Sequence, residues 1–413
     1  MSFSNLAPSQ TKKASPMRLY IFYSYLSVCM NMVHPVTPTL VKELGFSSFL
    51  YSALSSTLAL TNFLCAPLWG YYCDRRGRRP VLLIGTALYT CSQVIFSRAK
   101  TVPLLLFARM CGGIGSAGYL TGSLAYVVDV SEAEEKGRNL AIFTALTSIF
   151  SSFGYLAGGM IGTRFSVMTT FHVQIFLLCT SVVLGYFILT ESRSSEELLT
   201  AQADTQAKKF YDFKAMAKIM TVPVMLFLCA TIVANFGTMG YDNAFNYYIK
   251  DVLSFPSSYN GYIKATTGIL GLVANFTLSL WLIRHFRPQD ILLVLFPCCA
   301  AALFLAPQMK SIPTFLLTCI VFYFFNSVYL PILQTMMTQI KTENTGLLSG
   351  MFNAAKSIGS FVGPLFMSFV YSKGTEFPFY AASLAFLVAM LILLLHRKAE
   401  KKALQAKQQL PVA

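Results

Sequence analysis

Charge is scarce in this chain. Only 12% of its 413 residues are Asp, Glu, Lys or Arg, and 55% are hydrophobic, where a soluble domain carries about a quarter charged residues. Such a chain cannot cover itself for water, so an ordinary soluble fold is excluded. Histidine is sparse too. His34, His172, His285 and His396 have no ligand spacing, so no metal centre is expected. The ten cysteines are scattered and form no CxxC. Most sit in apolar runs, where cysteine acts as a small hydrophobe, which excludes a disulfide framework and a zinc site. No nucleophile constellation and no phosphate loop is present, so neither an enzyme nor a bound cofactor is expected. The alternating ten-residue segments of a β-barrel are also absent.

Long apolar runs are what the chain does have. A helix needs about 20 apolar residues to cross the hydrocarbon core, and the runs place spans near 18–40, 47–70, 80–98, 102–128, 139–162, 170–190, 217–248, 258–283, 290–307, 312–338, 346–371 and 377–396. This predicts an all-α membrane protein of twelve transmembrane helices. The net charge of +15 does not indicate nucleic acid, because the basic residues sit at span ends. With the N-terminus inside, seven of the 32 Lys and Arg fall outside (Lys42, Arg98, Lys100, Arg164, Lys250, Lys310, Lys373) and three within spans (Arg109, Lys264, Lys356). The other 22 lie inside, a bias that predicts two cytosolic termini. Residues 1–16 are polar and carry no signal-peptide core.

The longest polar stretch, from Glu191, divides the spans six and six. The expected organisation is a cytosolic N-tail (1–17), a six-helix bundle (18–190), a cytosolic linker (191–216), a second bundle (217–396) and a cytosolic C-tail (397–413). Within the linker, Glu196–Lys209 reads as a surface helix or flexible tether. The halves echo each other: Arg138–Gly158 aligns with Leu347–Phe366, matching Gly154 with Gly363. The only tryptophans, Trp69 and Trp281, end spans two and eight.

The densest charge in the first hundred residues is Gly70-Tyr71-Tyr72-Cys73-Asp74-Arg75-Arg76-Gly77-Arg78-Arg79-Pro80. It is costly in lipid and cheap at an aqueous surface, so it reads as a tight connection between spans two and three. It resembles the G-x-x-x-D-R-x-G-R-R signature of major facilitator superfamily transporters, with every fixed position present. Arg109-Met110-Cys111-Gly112-Gly113-Ile114-Gly115-Ser116-Ala117 resembles the same superfamily's R-x-x-Q-G-x-G-A-A, with Gly112 at the glutamine position. The resemblance implies two pseudo-symmetric six-helix bundles about a midplane site. It also implies a conformational latch of Gly70, Asp74, Arg75, Gly77, Arg78, Arg79 and Asp129, with Asp74 facing the start of span eleven near Gly346.

Other segments suggest contacts within the membrane. Gly154-Tyr155-Leu156-Ala157-Gly158-Gly159 resembles the G-P-x-x-G-G of drug/proton antiporters, with Tyr155 at the proline. Together with Gly113, Gly363 and Pro364 it marks close helix packing. Asn235, Gly237, Gly240, Tyr241, Asp242 and Asn246 in span seven suggest a broken helix lining a cavity. Two readings stand for Asp242: inside the span near Lys264, or at the outer surface beside Lys250 and Asp251. His34, with Asn31 one turn earlier, is either a packing residue or a proton carrier. Arg109 either functions in the membrane or snorkels to the interface. Lys356, near Asn353 in span eleven, is costly unless it faces water, a partner or an anionic substrate.

These readings converge on a monomeric secondary transporter in the plasma membrane. It would export small amphipathic compounds by alternating access, coupled to protons through Asp242 or His34. The alternatives are a carrier or uniporter for an organic anion, metabolite or lipid-like amphiphile, favoured by three basic residues within spans, and a non-transporting membrane sensor.

Overall fold

The computed structural model describes residues 16–132, 135–192, 219–340 and 345–408. Thirteen helices and no strand occur among them: α1 (Pro16–Asn31), α2 (Thr37–Glu43), α3 (Ser48–Arg76), α4 (Arg78–Arg98), α5 (Val102–Val130), α6 (Lys136–Arg164), α7 (Val167–Ile188), α8 (Val222–Asp251), α9 (Ser257–His285), α10 (Pro288–Leu305), α11 (Ile312–Gln339), α12 (Thr345–Tyr371) and α13 (Phe377–Gln408). Helices are the economical solution here, because lipid offers the backbone no hydrogen-bond partner.

Ten of the thirteen are long and apolar enough to span a membrane. The other three depart from the expected twelve for stated reasons. α12 has the length, at 27 residues, but is diluted by glycines, Asn353 and Lys356. α1 has 16 residues and α2 has 7, and together they occupy the stretch expected as one span. The chain breaks between them at 32–36, where Pro35 lacks an N–H and disfavours helical geometry at His34. Span seven, by contrast, was expected to be broken and is not: α8 runs unbroken for 30 residues. Its glycines serve packing instead. A Cβ on Gly240 would come within 2.8 Å of the Gly363 carbonyl on α12, so both glycines are needed for the helices to touch. α13 also continues to Gln408, past the expected end at 396.

Three cores hold the two bundles. The largest contains only residues of the second half, from Val224 to Leu393, built on buried Phe227, Phe296, Phe322, Phe352 and Phe386. The first half has one core around Tyr23, Leu82, Tyr126 and Leu178 and another around Val36, Leu54, Phe96 and Phe171, which Tyr247 and Tyr371 join from the second half. The glycines of α5 set the first bundle's spacing. A Cβ on Gly115 would meet the Tyr89 backbone of α4 at 2.5 Å, and one on Gly113 would meet the Leu58 carbonyl of α3 at 2.5 Å. Gly154 and Gly158 bring α6 equally close to the Val28 and Met32 carbonyls, and Gly159 meets the Ser257 carbonyl of the other half.

The bundles touch mainly through α6 with α9 and α3 with α12. Their hydrogen bonds among the described residues lie in the half of the molecule away from the Arg-rich loop. Thr39 meets Ser257 at 2.9 Å, Lys42 meets Asp251 at 2.9 Å and Ser52 donates to Asn243 at 2.6 Å. Asn243 in turn donates to Ser55, and Ser56 to the Phe361 carbonyl. Toward the loop end, an apolar cavity of about 540 Å³ lies between α3 on one side and the packed helices α8 and α12 on the other. Phe63, Pro67, Leu228, Ile232, Met351 and Ala355 are among its walls. The N-tail, the linker segment Glu196–Lys209 and the loop 341–344 before Gly346 lie outside the described residues.

Candidate functional site

At the loop end, the expected charge cluster is assembled. Arg78 starts α4 with its side chain 5% exposed. Its Nε donates to Asp129 Oδ2 at 2.7 Å and its Nη1 to Asp74 Oδ1 at 3.1 Å. Asp129 is the more enclosed carboxylate, at 19% exposure against 63% for Asp74. Gly77 has φ +95°, a left-handed conformation that side chains resist, and this turns α3 sharply into α4. Sequence reasoning missed Glu191, which it assigned to the linker. Its carboxylate accepts from the backbone N–H of Arg78 at 2.8 Å and of Arg79 at 3.2 Å. It thus caps the helix where orphan donors and the helix dipole favour an anion. A Cβ on Gly77 would collide with that carboxylate at 2.4 Å, so this glycine serves both the turn and the cap. Arg75 and Arg79 flank the cluster, stacked over Tyr71 and Tyr186.

Deeper in, charged and phenolic groups from both bundles share one layer. A helix rises 1.5 Å per residue, so Arg109 on α5 and Lys264 on α9 each lie roughly 10 Å from the end away from the loop. Asp242 on α8 lies roughly 14 Å from that end, inside the span. Asp242 is in an ion pair with Lys264, and the Tyr323 hydroxyl of α11 donates to the same carboxylate oxygen at 2.8 Å. The Lys264 ammonium also lies 5.0 Å from the Tyr323 ring. Across the interface, His34 in the break between α1 and α2 stacks on Tyr155 of α6, centroids 5.5 Å apart. Arg109 is buried, at 5% exposure, with its guanidinium 4.0 Å from the Phe96 ring. Its charge acts on His34, Tyr51 and Tyr89, and that of Asp242 acts on His34, Tyr51 and Tyr155.

The remaining sequence candidates are distributed differently. Lys356 lies on α12 about 22 Å from the far end, nearer the loop than this layer, with its ammonium 5.8 Å from the Phe352 ring. Asn235 donates to the Lys356 carbonyl and to Ser360, clamping α8 to α12. Asn31 donates to the Ser27 carbonyl and to Ser151 Oγ, tying α1 to α6. Asn246 is buried and its carbonyl accepts from Asn260. Asn353 is exposed and its carbonyl accepts from Ser357. Tyr241 adjoins Asp242 in sequence and packs in the core of the second half. It is 1% exposed and packed among Phe245, Phe322 and Phe379. Tyr51, Tyr155 and Tyr323 are the residues that sequence reasoning missed. Nothing in the sequence separates these three from the other tyrosines among 21.

Two helical bundles, joined at one end, parted at the other and lined at depth by charge, define a membrane transporter. The Major Facilitator Superfamily model matches residues 19–322 and 291–412, and the chain belongs to that family. Multidrug resistance protein 1 of Bacillus subtilis is 22% identical over 370 residues, covering 90% of this chain and 92% of its own. The class C tetracycline resistance protein of Escherichia coli is 26% identical over 363 residues, covering 85% and 88%. Among solved structures, a D-xylose-proton symporter superposes with a TM-score of 0.71 at 16% identity, covering 92% of this chain and 95% of that one. The chain is therefore a multi-pass integral membrane transporter for small molecules, not an enzyme, and its relatives carry the names of drug-resistance proteins.

Proposed function

We propose that this transporter exports amphipathic small compounds by alternating access, as a monomer in the plasma membrane with both termini in the cytosol. Residues 18–190 and 217–396 act as the two moving bodies, tethered by 191–216. One observation carries the reading. The hydrogen bonds between bundles lie toward the end away from the Arg-rich loop, while an apolar cavity parts them toward the loop. That asymmetry suits a state closed outside and open to the cytosol. The names of the relatives, multidrug and tetracycline resistance proteins, support efflux of drug-like compounds.

Proton coupling is assigned to Asp242. Its carboxylate is shared between Lys264 and Tyr323, so protonation removes the ion pair and frees the ammonium. Its neighbour Asn243 forms hydrogen bonds with Ser52 and Ser55 across the interface. A change at Asp242 is thus one residue from contacts that opening must break. His34, stacked on Tyr155 in the same layer, is the second candidate. At the cytosolic end, Asp74, Arg78 and Asp129 form the latch, with Gly77 and Glu191 fixing the turn that presents it.

The test is transport in reconstituted vesicles with an imposed pH gradient. An amphipathic dye accumulated against its own gradient, and only when the proton gradient is present, supports export by antiport. Dye movement blind to the gradient refutes the coupling, and no movement of any dye refutes the export reading.

A further inference from the structure

The charges of the layer do not balance. Asp242 is the only carboxylate there among the described residues, and it is taken by Lys264 and the Tyr323 hydroxyl. Arg109 has no ion pair and no hydrogen bond among the described residues, and its Nε is buried without any partner. A guanidinium so largely buried and left without an anion is unfavourable. The Phe96 ring beneath it compensates only a small part of that cost. Lys356 likewise lies near an aromatic ring, 5.8 Å from the Phe352 centroid, and pairs with no carboxylate among the described residues. Among the described residues the centre therefore holds two cations without counter-charge, at two depths about 12 Å apart along the helices.

The surroundings of Lys356 add a second feature. With about 100° between successive helical residues, it projects from the side of α12 opposite Met351, Ala354, Ala355 and Ile358, which line the 540 Å³ cavity. Its ammonium lies beside the Phe352 ring, and a buried, uncompensated guanidinium lies further along toward the closed end. An organic cation would meet only repulsion at both stations, because the one acid it could use is already engaged.

We infer that the transported compounds are amphipathic organic anions: an apolar body carrying one carboxylate, sulfonate or phosphate. The anionic head engages Lys356 first and Arg109 when the bundles rock. This deepens the export reading and rests on it, naming the charge of the substrate rather than the direction of transport.

Three probes with one apolar body separate the possibilities: 1-pyrenebutyrate, 1-pyrenebutanol and 4-(1-pyrenyl)butyltrimethylammonium. Equilibrium binding to the purified full-length protein is measured for each, with vesicle flux of the two charged probes recorded separately. The butyrate is expected to bind at least about tenfold tighter than the alcohol, and the ammonium weakest; tenfold corresponds to about 1.4 kcal/mol. Lys356→Gln is expected to cut that preference about tenfold while changing alcohol binding less than about twofold, with Lys356→Arg restoring it. Arg109→Gln gives a second, independent reading, with retained alcohol binding reporting that the variant is folded. Equal or tighter binding of the ammonium overturns the inference, as does an equal loss of all three probes in both variants. Selective butyrate binding without flux of either charged probe sustains the anion site and refutes export. Flux of the ammonium without butyrate preference does the reverse.

Discussion

Arg78 receives two carboxylates that differ in enclosure, and this difference predicts an unequal response to neutralising them. Asp129→Asn removes the acceptor of the shorter bond, 2.7 Å to Nε, from a guanidinium whose side chain is 5% exposed. Breaking a buried pair by deleting one partner costs about 3–5 kcal/mol. Asp74 remains as a partial partner at 3.1 Å, so the expected loss falls below that range, at about 2–3 kcal/mol. Asp74→Asn removes a carboxylate that is 63% exposed. Solvent screens such a pair, and its worth is about 0–1 kcal/mol. A kilocalorie shifts the midpoint of a chain this long by about 2 °C, so Asp129→Asn should melt roughly 4–6 °C below the parent and Asp74→Asn within about 2 °C of it. Unfolding of detergent-solubilised protein is read at one fixed scan rate, because the midpoint of an irreversible transition depends on that rate. Vesicle flux is measured alongside. A latch predicts that Asp74→Asn loses flux while keeping stability. Equal melting of the two variants would refute the burial argument, and undiminished flux in Asp74→Asn would refute the latch.

Three further outcomes follow from the same geometry. Asp242→Asn leaves Lys264 without its carboxylate and is expected to abolish pH-gradient-driven accumulation by more than about tenfold while substrate exchange persists, since a neutral amide cannot carry the proton; retained gradient response would move the coupling role to His34. Gly158→Val places a Cβ 1.7 Å from the Met32 carbonyl. It should prevent close packing of α6 on the first span, at well over the about 1–3 kcal/mol of ordinary overpacking, and a normal yield of monodisperse protein would contradict that. Finally, Thr39→Cys with Ser257→Cys replaces hydroxyls 2.9 Å apart across the bundles. Oxidation in a background lacking exposed cysteines is expected to stop flux reversibly, with reductant restoring it, and undisturbed flux in a cross-linked sample would exclude separation at that end.

How far the sequence could be read varies along the chain. The Arg-rich loop was legible because its logic is local. A glycine at positive φ, an acid four residues before Arg78 and basic residues at a water surface all fall within ten positions. Its helix cap was not, since Glu191 lies 113 residues from Arg78 and only the return of α7 brings it there. The glycines of α8 illustrate a misread signal. Glycine weakens an isolated helix, yet in a membrane bundle it lets another backbone approach, and Gly240 faces Gly363 for that reason. The true break lies at Pro35, whose ring rules out regular helix whatever surrounds it. The pairing of Asp242 with Lys264 was within reach of sequence reasoning, because α8 and α9 are consecutive. Tyr155 and Tyr323 were not, because a tyrosine at a bundle interface and one in a core look alike until the helices are placed.

The sequence alone determined that this chain lives in a bilayer as helices, because a shortage of charge and an excess of apolar runs leave no other way to satisfy its backbone. It also determined the family, through a short loop whose chemistry is self-contained. Only the tertiary structure decided which charges meet and which are left over. Partners in a membrane are chosen by the rotation and depth of helices that are distant in sequence, and it is that geometry which engages Asp242 with Lys264 and Tyr323 and leaves Arg109 and Lys356 uncompensated.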